Sequence, residues 1–288
     1  MTDRPWMTAL EMQFAALRTV RRYRDATEDS VRIFYEAVFH LSCADCFSFN
    51  AETATAISMA ARTVPKDTVI QPAIFPWRHA WWWFDVPVTI SGLHPETQNQ
   101  CCAISWSLDV IQGEIGVWGW VLDSTIEGHR DPVAVFHERV IQRGSTLAEL
   151  DAAVNHTDPN QANNKLASTW LWRWLIAGNV WLKQRVVTTS IGPVERHRRK
   201  QLAREYQVPL PSDVKVIQLR RVESPVRAEG SHGEPVEWSC RWIVNGHWRN
   251  QYHPSNGEHE LQYILPHVKG PADKPLRIPS HTVYAVTR

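Results

Sequence analysis

No run of apolar residues in this chain approaches the ~18 needed to cross a bilayer. The nearest, Trp170 to Leu182, is too short and contains Arg173. The first residues, Met1 to Phe14, show no basic start followed by a long apolar stretch, so neither a secretory leader nor a membrane partner is expected. Charge of one sign is also missing. The 31 Lys and Arg stand against 30 Asp and Glu, a net +1, which gives no global case for a nucleic-acid partner. Cysteines are few: Cys43, Cys46, Cys101, Cys102 and Cys240, an odd number with no framework spacing, so a reducing, cytoplasmic location is expected. Four motifs are lacking: GxxxxGK[ST], GxGxxG after a strand, GxSxG and HExxH. Their absence argues against most nucleotide-dependent enzymes, serine hydrolases and zinc proteases, and no cofactor is expected.

What is abundant is tryptophan, 15 in 288 residues, within a chain that is 43% hydrophobic. A real core is therefore available, and so many amphipathic rings also suit a groove that holds a peptide or stacks bases. The pattern predicts an α+β protein. Helices are expected over residues 7–24, 30–47 and 51–62, the last capped by Asn50, so residues 1–66 form a helical N-terminal region. Strands follow over 86–90, 102–108, 115–122 and 133–140, read as an antiparallel sheet. A short helix over 147–156 precedes a long Trp-rich helix over 165–187, with Trp170, Trp174, Ala177 and Trp181 on one side. A basic helix over 195–206 and a strand over 214–221 come next. Residues 224–235, rich in Gly, Pro and Ser, read as a flexible loop. Residues 67–288 are taken as one α+β core that ends in the block 234–288.

That block holds the densest chemistry. As a strand, residues 237–251 place Trp238, Cys240, Trp242, Val244 and Trp248 on one face and Arg241, His247, Arg249 and Gln251 on the other. The Asn256-Gly257 turn leads to a return strand over 261–265, giving a C-terminal β-hairpin expected to pack on the Trp-rich helix. His267 and Lys269 follow inside Pro266-His267-Val268-Lys269-Gly270-Pro271. The polar row suits a phosphate, a carboxylate or a peptide backbone, because Arg offers a rigid fork of donors and Gln both donates and accepts. Strand alternation alone also produces such rows. His247, His267 and Lys269 could supply two proton-transfer groups and a cation to a metal-independent ribonuclease, or serve only as a rigid turn. His247, His253, His259 and His267 do not match a common zinc spacing; Cys43-x-x-Cys46 with His40 lacks a second Cys pair, so no metal is assigned. Arg196, Arg198, Arg199, Lys200 and Arg204 could track a nucleic-acid backbone as an RNA-binding module, or simply form a solvated helix face.

Residues Trp238 to Val244, Gly246 to Gln251, Pro266 to Pro271 and Lys274-Pro275-Leu276 resemble a C-terminal block of proteins from phages, plasmids and other mobile elements. The block is similar to that of the type V-A anti-CRISPR proteins that trigger loss of the messenger RNA for the CRISPR nuclease. The likeness is fainter over the basic helix and the 214–221 strand and does not extend to residues 1–190. It implies recognition of the nuclease's nascent N-terminal peptide during translation, with the ribosome or mRNA as further partners. It leaves open whether the protein cuts RNA itself or recruits a host nuclease; the sequence shows no nuclease motif, so recruitment is expected. On that reading Arg241, His247, Trp248, Arg249, Gln251, His267 and Lys269 are the peptide-binding candidates. A peptide reader needs an aromatic groove, a sheet edge or polar stripe, and no cofactor.

Overall fold

The structure, a computed structural model, describes residues 5–22, 28–70, 74–90, 100–109, 114–122, 131–141, 145–152, 159–184, 186–220, 238–255 and 257–277. The expected loop over 224–235 lies outside them. The chain divides into two compact units, Met1–Arg220 and Arg221–Arg288.

The first unit is built on a seven-stranded sheet. Its elements are α1 (Pro5–Arg22), α2 (Glu28–Cys43), β1 (Asp45–Phe49), α3 (Ala51–Ala61), β2 (His79–Thr89), β3 (Gln100–Asp109), β4 (Glu114–Leu122), β5 (Pro132–Ile141), α4 (Leu147–Ala152), α5 (Pro159–Lys183), β6 (Val187–Gly192), α6 (Arg196–Tyr206) and β7 (Val214–Leu219). The strand order is β5-β4-β3-β2-β1-β7-β6. Strands β2 to β5 form an antiparallel meander, as expected from the turn-punctuated sequence, but β2 begins at His79 rather than at the expected residue 86, so the Trp-rich run before Asp85 is strand as well. The sheet as a whole is mixed, because β1 runs parallel to both β2 and β7. A parallel step needs a crossover, and α3 supplies it between β1 and β2.

Two expected helices stop short. The second was read through to Phe47, but α2 ends at Cys43, and Asp45–Phe49 is the strand at the parallel junction. Its residues Cys46 to Phe49 are all buried, so sequence shows a short apolar run that periodicity cannot sort between helix and strand. The Trp-rich helix was read to Val187, but it ends at Lys183, and Val187–Gly192 pairs with β7. The β-branched run Val-Val-Thr-Thr favours extension there. Local signals did hold at the caps. The Asn50 side chain accepts from Thr53 N at 2.9 Å. Thr146 and Glu149 exchange bonds as a capping box before α4.

The core explains the tryptophans. Residues 80–84 of β2, Ala-Trp-Trp-Trp-Phe, are buried without alternation, as in a strand covered on both faces. Trp81 and Trp83 join α1, α2 and α6 residues such as Phe14, Leu17, Leu41 and Leu202. Trp82 and Phe84 face the other way, where α5 lies: the Trp82 ring sits 2.5 Å from where a Cβ on Gly178 would stand, and Phe84 packs on Trp174 at 5.0 Å. Trp81, Trp82, Trp106, Trp118, Trp120, Trp172, Trp174 and Trp181 are all fully buried. At ~200 Å² of ring and ~25 cal/mol per Å², each contributes about 5 kcal/mol of apolar burial. In this unit, these rings are core and do not line a groove.

Polar groups inside this layer are wired together. His40 is fully buried, stacked on Trp118 at 4.1 Å, with Nδ1 3.1 Å from the Glu36 carbonyl and Nε2 2.9 Å from Ser105 Oγ. A carbonyl only accepts, so Nδ1 carries the proton and Ser105 donates to Nε2. Ser105 Oγ in turn accepts from Trp120 Nε1 at 2.8 Å. Nearby, Ser107 pairs with His79 Nδ1 at 2.9 Å. Burial, aided by Arg78, lowers the His79 pKa to about 4.

Two outcomes follow. Ser105→Ala strands both His40 Nε2 and Trp120 Nε1, and should lower unfolding stability by about 2–4 kcal/mol in denaturant titration. Because the folded pKa of His79 lies below its unfolded value, the unfolded chain binds more protons between about pH 6.5 and 4. Stability should be full above that window and fall by roughly 1–3 kcal/mol as pH drops through it, and His79→Gln should flatten the fall in thermal melts.

Candidate functional site

The second unit contains a long two-stranded ribbon. Strands β8 (Trp242–Val244) and β9 (His247–His253) run out to the turn, and β10 (Glu258–Ile264) and β11 (His267–Lys269) run back. Partners are Trp242 with Lys269 and Val244 with His267 on one side of a break, and His247 with Ile264 and His253 with Glu258 on the other. Each residue and its partner keep the same offset on both sides of the break. The Asn245-Gly246/Leu265-Pro266 interruption therefore neither inserts nor deletes a residue, and the expected hairpin is a single ribbon in one register. Gly257, at φ +72°, closes the turn, its N–H bonded to the His253 carbonyl at 2.9 Å.

Aromatic pairs lock the ribbon. Trp248 meets its cross-strand partner Tyr263 edge-on at 5.1 Å, and Tyr252 meets His259 at 5.0 Å. Trp238 packs on Trp242 at 4.8 Å. Tyr263 crosses the bare backbone at Gly246, where an added Cβ would lie 2.7 Å from the Tyr263 ring carbon and 3.0 Å from Pro266 Cδ. Burial of Tyr263 raises its hydroxyl pKa.

The register separates the candidate residues. His247, Arg249 and Gln251 alternate onto one face, beside Ile264, Gln262 and Glu260. His247 and Arg249 are exposed and Gln251 is half-buried, its Nε2 donating to the Tyr252 carbonyl at 2.8 Å. His267 and Lys269 pair with Val244 and Trp242, so the constant alternation puts them on the opposite face. His267 also lies three positions along the ribbon from His247, about 10 Å at ~3.3 Å per residue. The structure does not assemble His247, His267 and Lys269 as a ribonuclease centre. His247 and His267 each donate Nδ1–H to a carbonyl two residues back, at 3.1 and 3.0 Å.

Arg241 leaves the polar row altogether. Its Nε donates to the Lys274 carbonyl at 2.8 Å, its N–H to the Pro275 carbonyl at 2.8 Å, and its carbonyl accepts from Arg277 N at 2.7 Å. It stitches the segment after Gly270 to the ribbon's base. Gly270, at φ +109°, lies against the Cys240 carbonyl, with no room for a side chain. Trp248 is half-buried as a ribbon anchor.

The other candidates lie in the first unit. On α6, Arg199 is held by Asp213 and the Val194 carbonyl, and Arg198 by Glu11 and Gln201. These two cations brace α6 against its neighbours. Arg196, Lys200 and Arg204, spaced i, i+4 and i+8, form an exposed stripe. The Cys43-x-x-Cys46 pair is split between a helix end and a strand. Cys46 is buried, with its thiol pKa pushed far up by desolvation, while the Cys43 thiol donates to the Phe39 carbonyl. Among the described residues no three His, Cys, Asp or Glu side chains gather as metal ligands do, and no helix is long and apolar enough to cross a membrane. Sequence reading missed the His40–Ser105–Trp120 chain. Its members come from α2, β3 and β4, and no local spacing links them.

Gly246→Ala should disrupt Tyr263 and lower the melting temperature of the second unit's transition, by about 1–3 kcal/mol in stability. The Gly246→Ala, Tyr263→Phe double variant, lacking the hydroxyl, should recover part of that loss in the same calorimetric scan.

No protein-family model matches the chain, and no curated protein matches it. Among solved structures, a crystal structure of AcrVA2 is similar at 13% sequence identity and a TM-score of 0.40, over 89% of this chain and 85% of that one.

Proposed function

We propose that this chain is an anti-CRISPR-like protein of a mobile element. It recognises the nascent N-terminal peptide of a type V-A CRISPR nuclease in the host cytoplasm and causes loss of the nuclease mRNA. It acts by recruitment on the translating ribosome or mRNA, without cutting RNA itself. One observation carries this reading. The resembling residues include strands β8 and β11 and most of β9 of the ribbon, and the ribbon leaves His247 and Arg249 exposed toward a ligand while Trp242, Trp248 and Tyr263 hold the scaffold. An arginine fork and an imidazole ring suit main-chain carbonyls, amides and a carboxylate. The separation of His247 from His267 favours binding over acid/base chemistry.

Tagged protein should recover ribosomes translating the nuclease and lose them when the nuclease's N-terminal codons are scrambled. The His247→Ala, Arg249→Ala double variant should lower recovery about tenfold with an unchanged melting curve. Equal recovery from authentic and scrambled messages would refute the reading.

A further inference from the structure

Helix α6 carries cations that the fold does not use. Arg198 and Arg199 are tied to Glu11, Gln201, Asp213 and the Val194 carbonyl. Arg196, Lys200 and Arg204 are exposed, and among the described residues no hydrogen bond or ion pair engages their side chains. The acids of the helix are turned to other groups. Glu195, at the N-cap, makes no capping bond and reaches His197 Nδ1 at 3.2 Å. Glu205 stands about 100° round the helix from Arg204, where it interacts with Tyr206 and Arg18. The stripe also weakens its own helix. Like charges at i, i+4 repel. Arg196 opposes the helix dipole at the first position, and no acidic residue stands in the first turn. Only Arg204, in the last turn, suits the dipole. A row of unpaired like charges that costs its helix stability breaks a local rule, as binding sites do, and takes its counter-charge from outside.

We infer that the Arg196–Lys200–Arg204 stripe binds the phosphate backbone of RNA. The repeat selects a polyphosphate. Four residues of helix rise about 6 Å, close to the interval between successive phosphates of a nucleic-acid strand. Two guanidinium forks and one ammonium then meet successive phosphates along the helix. An acidic peptide has no such uniform repeat. A lipid surface needs large apolar residues beside the cations, and Leu202 and Tyr206 of α6 are turned into the core. Contacts of this kind position a strand without reading its sequence. The stripe lies in the first unit and uses none of the ribbon's residues. The inference rests on the preceding reading only in choosing RNA over DNA, because that reading places the protein on translating ribosomes.

The test uses the full chain and a short, unstructured labelled RNA, with no ribosome or nuclease present. The wild-type chain should bind with a Kd of about 1–100 μM at roughly 0.15 M salt, and log K should fall against log salt with a slope of about −2, as three neutralised phosphates require. The Arg196→Gln, Lys200→Gln, Arg204→Gln triple variant should bind at least about tenfold more weakly and flatten that slope. Its melting curve should be unchanged or slightly raised, since the like charges are gone. Lys200→Glu, which reverses only the central charge, should weaken binding by a second route if the triple variant fails to fold. The His247→Ala, Arg249→Ala variant should bind RNA as the wild type does. No RNA binding, equal binding by the folded α6 variants, or a flat salt response would overturn the inference. So would tighter binding to DNA or to anionic vesicles than to RNA. If RNA binding stands while scrambled codons leave ribosome recovery unchanged, the preceding reading fails alone; the converse pattern strikes only the stripe.

Discussion

Strand β2 sends a tryptophan to each face of the sheet, and the first unit is arranged to cover both. Trp82 needs the bare backbone of Gly178 on α5, and Trp81 and Trp83 need the apolar stripes of α1 and α2. Because both faces are claimed, the strand beside β2 must also be buried on both, and Cys46 to Phe49 of β1 meet that demand. The parallel junction, the α3 crossover and the position of β7 all follow from placing β1 there. Close packing of this kind tolerates little change in volume, which is why a glycine sits where the largest side chain arrives.

One buried polar chain in the same layer is satisfied by directional matching. The Glu36 carbonyl fixes the His40 tautomer, that tautomer fixes the Ser105 hydroxyl, and the hydroxyl receives the Trp120 N–H. An unpaired group at any of these positions would cost about 1–3 kcal/mol, so the chain also specifies which residues of α2, β3 and β4 must meet.

The second unit works by other means. Its ribbon buries little, and Tyr263 is its one buried large side chain among the described residues. Order comes from a single register, cross-strand aromatic pairs and the main-chain bonds around Arg241. Such a scaffold keeps its polar side chains at the surface, where His247 and Arg249 are available and His267 and Lys269 face away from them. The contrast between a sealed core and a ribbon of exposed polar groups is the physical ground on which recognition is proposed.

Much of this was legible locally. Asn50 as a cap, the Asn256-Gly257 turn, the polar row from His247 to Gln251 and the meander of β2 to β5 are set by short-range rules of capping, turn chemistry and alternation. The sequence alone thereby determined the α+β class, the hairpin and its two-faced character. Only the tertiary structure decided that Asp45–Phe49 is a strand, since an apolar run of that length is helix or strand according to what covers it. It also decided that the tryptophans of the first unit fill a core, that Arg198, Arg199 and Arg241 are committed internally, and that β6 ends the sheet. Each depends on contacts between residues far apart in the chain, and neither periodicity nor composition records those contacts.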